Sequence, residues 1–376
     1  MVDDPYPIYR ELRHEQPVYH DAERDFWALS RWSDVQHAAR DWRRFSSSGG
    51  VDIDVSADFF GEGDFICFER PKHTRLRGVV KEAFSMRGVA ALEGSIREQV
   101  TVLLDRAQAQ DSCEFVATVA AQLPLGVMFG VLGFPASDGA ALVPLMQDVL
   151  ERTPGSSEVP DRAIGALKEL ESYIDDVAAR RRSQPGGEDV LSWIVEAERS
   201  GDVLPDEATG ICLLLLLAGW ETTSVLATNA MWLLASHPDQ RRLLVDEPAR
   251  IPAAIEEMLR FESPAQQHMR IAAEEVELHG ETIPAGGRVV LLWASANRDE
   301  SRWADADRFE VTRPAQRNLA FGEGIHHCLE APLARLEGRI LVETVLGRTP
   351  DYEVGEPERF PGVVIRGFAR LPVRWG

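Results

Sequence analysis

The chain has 376 residues, of which 44% are hydrophobic and 27% are charged. This apolar content is ample for a globular core, and at about 150 residues per domain the length allows two or three domains. The 61 acidic and 40 basic side chains give a net charge of −21. A surface this acidic repels nucleic acid and anionic lipid at long range, which argues against a nucleic-acid-binding or membrane-surface protein.

Helical periodicity dominates the chain. Proline and acidic residues mark several helix starts, for example Pro205-Asp206-Glu207. In chain order, helices are predicted at residues 5–15, 31–40, 88–109, 116–132, 137–152, 162–183, 188–199, 205–236, 238–246, 251–262 and 328–346. Predicted strands are 17–19 with 26–29, 275–278 with 281–283, 288–293 and 363–373. The pattern indicates a mainly α protein with small β-sheets, and residues 44–70 and 296–327 are predicted to be irregular binding loops.

One of these helices raises the alternative of a membrane span. Residues 211–235 are mostly apolar and include five consecutive leucines, but Glu221, Thr222 and Asn229 lie within them. Polar and ionisable groups in the middle of a membrane cost several kcal/mol. A long central helix buried inside a globular protein is therefore the favoured interpretation.

The four cysteines, Cys67, Cys113, Cys212 and Cys328, lie far apart in the sequence. Their spacing is not that of a disulfide framework, and no two of them form a C-x-x-C pair. The first residues carry charge and no apolar signal core. We therefore expect a cytoplasmic protein.

The segment from Leu319 to Glu337 carries the strongest chemical signal. A loop with glycines at 322 and 324 leads into a predicted helix that begins at Cys328. A helix N-terminus stabilises a thiolate and lowers the pKa of the cysteine, and the glycines let the backbone approach a flat ligand closely. These features suit an axial thiolate ligand. Two alternatives are a buried, inert cysteine and a zinc site built from His326, His327 and Cys328, although three adjacent residues cannot close a tetrahedron.

The pattern Phe321-Gly322-x-Gly324-x-His326-x-Cys328 resembles the haem-binding loop of the cytochrome P450 superfamily, particularly its soluble bacterial members. Ala331-Pro332-Leu333-Ala334-Arg335-Leu336-Glu337 continues the match. The resemblance implies a single catalytic domain over residues 1–376, with haem b between the long central helix and the helix after the cysteine loop. It also implies that Cys328 is the iron ligand and that Phe321, Gly322 and His326 contact the cofactor.

One residue departs from the family pattern, which usually has glycine two positions after the cysteine, where this chain has Glu330. Two residues along a helix correspond to a rotation of about 200°. We therefore expect Glu330 to point away from the sulfur and haem binding to be retained.

Four further segments resemble family motifs. Glu257-x-x-Arg260 matches the E-x-x-R motif, which in the family joins an arginine, here Arg313, to lock the cysteine loop; alone, it would be an ordinary surface ion pair. The resemblance assigns the haem carboxylates to His73, Arg77, Arg270 and His326, of which His73 and Arg77 share one helix face.

Ala218-Gly219-Trp220-Glu221-Thr222 resembles the oxygen-activating stretch of the central helix. In the family, small residues here leave space for haem and oxygen, so Ala218 and Gly219 are expected to contact the cofactor. Thr222 and Glu221 are expected to be catalytic and to deliver protons through water. Read without the resemblance, the segment would be a helix core with a local kink.

The resemblance implies a monooxygenase that inserts one oxygen atom of O2 into an organic substrate. The sequence has no flavin or nicotinamide fingerprint, so NAD(P)H electrons are expected to arrive through a ferredoxin and its reductase. A local basic patch is predicted to dock the ferredoxin, formed by Lys72, Arg75, Lys81, Arg335 and Arg339.

Two rival functions remain, a peroxide-driven peroxygenase of the same fold and a non-catalytic haem-thiolate sensor. Peroxygenases of the family generally lack the acid–alcohol pair, so Glu221 and Thr222 favour O2. The substrate is expected to be small to medium and largely apolar, because aromatic residues crowd one predicted loop; with Ile66 they are Phe59, Phe60, Phe65 and Phe68.

Overall fold

The computed structural model describes residues 4–55, 57–151, 158–184 and 186–376, without the side chains of residues 58 and 60. Its helices, in chain order, are α1 Tyr6–Glu15, α2 Trp32–Arg40, α3 Lys72–Val80, α4 Met86–Ala91, α5 Glu93–Ala107, α6 Gln122–Leu132, α7 Gly139–Leu150, α8 Asp161–Ser183, α9 Val190–Ser200, α10 Pro205–Ser236, α11 Pro238–Asp246, α12 Ile251–Phe261, α13 Trp293–Ala296 and α14 Ala331–Arg348.

The strands are short. They are β1 Val18–Asp21, β2 Phe26–Leu29, β3 Phe45–Ser46, β4 Ser112–Glu114, β5 His268–Ala272, β6 Val276–Leu278, β7 Glu281–Ile283, β8 Arg288–Leu291, β9 Glu353–Val354, β10 Glu358–Arg359, β11 Phe368–Arg370 and β12 Pro372–Arg374. The largest sheet has the order β1-β2-β8-β5-β3, and smaller ones join β4-β12-β9, β6-β7 and β10-β11. Helices with small sheets at the periphery confirm the predicted fold class.

Helix α10 is the central helix of the protein. Pro205 starts it, and the Glu207 carboxylate accepts a hydrogen bond from the Leu204 amide at 2.9 Å, which satisfies an otherwise free donor of the first turn. It is long and apolar enough to cross a membrane, but 78% of its most apolar window is buried against the rest of the protein. It packs against α6, α8, α12 and α14, so the helix serves as the core of the fold.

The differences from the predicted elements lie where the periodicity is interrupted. Predicted helix 88–109 is two helices, α4 and α5, which meet at Leu92. Predicted helix 116–132 begins as a π-helical turn at Val116–Ala120 before α6. Helix α14 begins at Ala331 instead of Cys328. Strand β5 was not predicted, and α3 was expected only from the family resemblance.

Candidate active site

The cysteine loop is folded tightly on itself. Gly322 and Gly324 have φ angles of 66° and 75°, a left-handed conformation that favours glycine. A Cβ on Gly324 would collide with the carbonyl of Ala39 in α2, so the loop lies directly against that helix. The amide of Cys328 donates a hydrogen bond to the carbonyl of Phe321 at 2.9 Å. Backbone contacts therefore fix the position of the cysteine before any ligand binds.

The Cys328 thiol is not activated by the protein alone. Burial raises its pKa to about 12; the Glu330 carboxylate also raises it, whereas the Glu330 amide, Arg77 and Arg335 lower it. The helix-dipole expectation of a lowered pKa is not met, because burial raises the pKa by more than the Glu330 amide, Arg77 and Arg335 lower it. Cys328 as a whole residue is partly exposed. A cation at the sulfur would be needed to make the thiolate at neutral pH.

Glu330 is buried, with 8% of its surface exposed. The helical rotation used to place it does not apply, because residues 328–330 precede the helix. Its carboxyl instead lies against Gly219 of α10. Burial raises the pKa of Glu330 to about 8, so the departure from the family glycine places an acid group inside the protein.

Basic side chains gather at one side of the loop. The rings of His73 and His326 are edge to face, with centroids 4.7 Å apart, and both ring nitrogens of His73 are buried without a hydrogen-bond partner among the described residues. Arg270 is 4% exposed, and its guanidinium donates to the carbonyl of Met269 at 2.6 Å. Burial lowers the pKa of His73 to about 4 and that of Arg270 to about 10. Such unsatisfied buried donors suit an anionic group with several acceptor oxygens.

Arg77 has a different position from these residues. Its Nη2 donates to the carbonyl of His327 at 2.7 Å, within the cysteine loop. It is also close enough to Cys328 for each to shift the pKa of the other. Arg77 therefore stabilises the cysteine loop.

Two residues of this region were missed by the sequence analysis. Glu69 accepts hydrogen bonds from the Ser46 hydroxyl and the Ser47 amide and lies 3.5 Å from His326 Nε2. His268 Nδ1 accepts a hydrogen bond from Trp293 Nε1 at 3.1 Å, and burial lowers its pKa to about 3.

The alternation of side chains along a strand could have identified His268. It precedes Arg270 by two residues on strand β5, and alternate residues of a strand share a face. Glu69 has no comparable signal, because it lies in irregular chain and reaches Ser46 and Ser47 only through the fold.

The central helix is open at the predicted oxygen-activating stretch. Ala218 is exposed although its neighbours Leu217 and Gly219 are buried. The Thr222 hydroxyl donates to the carbonyl of Ala218 at 2.8 Å, and Glu221 beside it is half-buried. An exposed residue in the middle of a core helix indicates a cavity along this stretch.

Trp220 lies on the other side of the helix. It is 5% exposed, and its Nε1 donates to the carbonyl of Ala121 at 2.9 Å. Its side chain is therefore part of the packing between α10 and the segment before α6, not of the open stretch.

The predicted ion-pair triad is assembled. Glu257 accepts from Arg260 at 2.6 and 2.8 Å and from Arg313 at 3.2 Å. Arg260 also donates to three carbonyls of residues 297–308, those of Asn297, Ala306 and Arg308. Because both Glu257 and Arg260 are buried, this network ties the long irregular segment before the cysteine loop to helix α12.

Most residues of the predicted basic patch are paired with nearby carboxylates. Four of its five members form ion pairs, namely Lys72–Glu62, Arg75–Glu207, Arg335–Glu256 and Arg339–Glu93. The fifth member, Lys81, has no ion-pair partner among the described residues and is exposed at the end of α3. The charges of the other four are largely neutralised locally.

The residues of the site fit a haem group. The partly exposed Cys328, the two ring nitrogens of His73 that have no partner among the described residues, and the exposed Ala218 of the central helix match its iron, its carboxylates and its ring. The zinc alternative is not supported by the geometry, since His326 faces His73 and Glu69 instead of converging on the sulfur.

Comparison with known proteins agrees with this geometry. The family model "Cytochrome P450" matches residues 156–349. Cytochrome P450 123 of Mycobacterium tuberculosis is 37% identical over 99% of this chain and 94% of its own. The vitamin D(3) 25-hydroxylase of Pseudonocardia autotrophica is 35% identical, with coverage of 99% and 94%.

Solved structures extend the likeness to the whole fold. The crystal structure of CYP109E1 from Bacillus megaterium with testosterone has a TM-score of 0.93 at 30% identity, covering 99% of this chain and 98% of that one. P450BioI in complex with an acyl carrier protein ligated to hexadec-9Z-enoic acid has a TM-score of 0.91 at 29% identity, with 99% of each chain covered. On fold, sequence and site, this chain belongs to the cytochrome P450 family of haem monooxygenases.

Proposed function

We propose that this protein inserts one oxygen atom of O2 into a small to medium, largely apolar organic molecule, with NAD(P)H electrons delivered by a ferredoxin and its reductase in the cytoplasm. Two partly exposed positions in an otherwise buried core carry the proposal. One is Cys328, and the other is Ala218 of α10, whose carbonyl accepts the hydrogen bond of Thr222.

Haem would be held by residues from several elements. Cys328 would bind the iron, and His73, Arg270 and His326 would bind the carboxylates. Phe321 and Gly322 would flank the ring on the loop side, and Ala218 on the side of α10. The space beside Gly219, the other predicted ring contact, holds the Glu330 carboxyl. When bound, haem supplies the activation of O2 and the oxidation of the substrate.

The protein supplies protons and excludes water. The Thr222 hydroxyl donates a hydrogen bond to the Ala218 carbonyl. Its oxygen lone pairs can therefore accept a hydrogen bond from water. Glu221 is the next residue and is half-buried, which lets its carboxyl exchange protons with solvent and pass them to a water held by Thr222. This acid–alcohol pair favours an O2-dependent enzyme over a peroxide-driven one.

Apolar side chains support the proposed substrate class. Phe65 is buried, while Phe59 and Phe68 are half-buried against the main core; the side chain of Phe60 lies outside the described part of the chain. The relative named as a vitamin D(3) 25-hydroxylase and the neighbour solved with testosterone point the same way.

The test compares electron sources on one probe substrate. Testosterone would be incubated with purified protein and either NADH with a ferredoxin pair or hydrogen peroxide. Isotopically labelled oxygen from O2 should enter the product only with NADH and the ferredoxin pair. Product with peroxide alone would indicate a peroxygenase. Testosterone binding and reduction without turnover in either arm would indicate a sensor.

A further inference from the structure

Glu330, the residue before α14, and Gly219 of α10 form a close contact. A Cβ on Gly219 would collide with Glu330 Oε2, and it would lie 3.2 Å from Glu330 Cδ and 2.9 Å from Met128 Sδ. The carboxyl of Glu330 therefore fills the space that a side chain at position 219 would occupy. The absence of a side chain at 219 and the presence of a long one at 330 depend on each other.

Glu330 reaches both halves of the proposed site. Its amide hydrogen-bonds to the Cys328 sulfur, and its side chain lies on α10 next to Ala218, whose carbonyl holds Thr222. One residue thus contacts the proposed iron ligand through its backbone and the proposed oxygen-activating stretch through its side chain.

Stability alone does not account for an acid at this position. Glu330 Oε1 is buried without a hydrogen-bond partner among the described residues, and burial is the sole cause of its raised pKa, with no cation nearby to compensate. A buried, unsatisfied carboxyl is costly. The observation that remains is geometric: the side chain extends across to Gly219 of α10.

A second contact fixes the two helices farther along. A Cβ on Gly338 of α14 would lie 3.2 Å from Leu226 Cδ2 of α10. Here it is α10 that contributes the side chain and α14 the glycine. The two helices therefore interlock at two points, and Glu330 provides the point at the site.

Resting on the proposed function, we propose that Glu330 is a positioning residue: by seating its side chain against Gly219 it sets the cysteine loop relative to the oxygen-activating stretch of α10. In this account Gly219 is required by Glu330, and Ala218 faces the cavity. Glycine at 330, which the family usually has, would leave a void that α10 or the loop must move to fill.

The test is a double-mutant cycle on the purified holoenzyme, with Glu330→Gly, Gly219→Ala and the combined variant. Three quantities are measured: the haem-to-protein ratio, the thiolate-bound fraction in the reduced, carbon monoxide-bound spectrum, and the midpoint of thermal unfolding. Gly219→Ala should lower the thiolate-bound fraction by about two-fold or more, the lower end of coupling between touching residues. The combined variant should recover the part of that loss that comes from the clash with Glu330, because the new methyl group occupies the space left by its side chain, while the 2.9 Å approach to Met128 Sδ remains.

Two further variants distinguish the contact from general packing and from charge. Gly338→Ala disturbs the same helix pair at a point that Glu330 does not touch, so Glu330→Gly should not rescue it. Glu330→Gln keeps the shape without the acid and should retain the wild-type thiolate-bound fraction. Equal losses in Glu330→Gln and Glu330→Gly would assign the role to charge and overturn the proposal.

Additive effects of Gly219→Ala and Glu330→Gly would overturn the inference while leaving the proposed function intact. Wild-type protein without any thiolate signature would instead contradict the proposed function, and the positioning role with it. Recovery of both the thiolate fraction and the unfolding midpoint in the combined variant would support the inference.

Discussion

The hydrogen bonding of Thr222 limits what its hydroxyl can do in the site. Its hydroxyl proton is committed to the Ala218 carbonyl, and the residue lies in the part of α10 that remains open inside the core. Because its proton is used in this way, the Thr222 hydroxyl can act only as a hydrogen-bond acceptor toward other groups. In the proposed mechanism it would hold a water, while Glu221 would exchange protons with solvent.

We expect Thr222→Ala to uncouple electron use from product formation. Without the hydroxyl, protons reach the site without control, so NADH oxidation should continue while product per NADH falls by about 10²-fold, the lower end of the effect of a general acid–base group. Product and hydrogen peroxide would be measured together. Thr222→Ser, which keeps the hydroxyl, is the control, and unchanged coupling in the alanine variant would remove Thr222 from the mechanism.

Replacing Arg270 tests whether the buried basic residues bind the haem carboxylates, because the variant should retain haem less well. A charge-assisted hydrogen bond contributes about 1.5–3 kcal/mol, so Arg270→Gln should weaken haem binding by about 10- to 100-fold. The measurement is the rate of haem transfer to an excess of apomyoglobin. Arg242→Gln, in an exposed ion pair on α11, should transfer haem at the wild-type rate; equal rates in Arg270→Gln would contradict the assignment.

Residue identity was predictable where local spacing carries the signal. His326 and Cys328 share one loop, and Glu257 and Arg260 lie three apart on one helix. The orientation of Glu330 was not predictable, because it depends on where α14 begins and on a contact with Gly219, more than a hundred positions away in the sequence. Glu69 was missed for the same reason, since its partners come from β3 and the cysteine loop.

At the scale of elements, helix α12 and the segment before the cysteine loop form one unit. That segment has little regular structure of its own. Arg260 donates hydrogen bonds to three of its carbonyls, and the Glu257 carboxylate accepts one from its backbone amide at Glu310. The loop that presents Cys328 is thus held by side chains where a backbone ladder is lacking.

Removing Glu257 should therefore destabilise the whole protein. Glu257→Gln leaves Arg260 buried without a counter-charge, and breaking a buried pair in this way costs about 3–5 kcal/mol. Urea unfolding of the holoprotein measures the change. The comparison variant is Asp246→Asn, which removes an exposed i,i+4 pair with Arg242 and should change the free energy of unfolding by less than about 0.5 kcal/mol. Similar losses in the two variants would contradict a structural triad.

Elements were predicted well where capping and periodicity agree. Pro205 and Pro238 start α10 and α11 at the predicted residues. The two-residue strands β3, β9 and β10 were not predicted, since strands this short carry no usable period. The π-helical turn at Val116–Ala120 was also missed, because its residues fit an α-helical pattern equally well.

At the scale of the whole molecule, the net charge of −21 bears on the proposed ferredoxin partner. The basic side chains expected to dock a ferredoxin are mostly paired with local carboxylates, and Lys81 is the exposed exception within the described ranges. Long-range attraction is therefore weak, and a ferredoxin partner would depend on a small area near the end of α3.

We expect Lys81→Glu to slow reduction by a ferredoxin at low ionic strength, by a few-fold, with the difference disappearing as salt is added, because a rim charge acts mainly on the association rate. Stopped-flow reduction at several salt concentrations measures it. Lys168→Glu, an equally exposed lysine on α8, makes the same change of charge elsewhere. Equal slowing in both variants would show that only net charge matters and would leave Lys81 outside the docking area.

The central claim is that Cys328 binds haem iron as a thiolate, although the protein alone raises the pKa of this thiol to about 12. The absorption spectrum of the reduced, carbon monoxide-bound protein tests this most directly. We predict the strongly red-shifted Soret band of a thiolate ligand, and its loss in Cys328→Ala. A band typical of histidine-ligated or neutral-thiol haem in freshly prepared wild-type protein would contradict thiolate ligation and, with it, the proposed monooxygenase function.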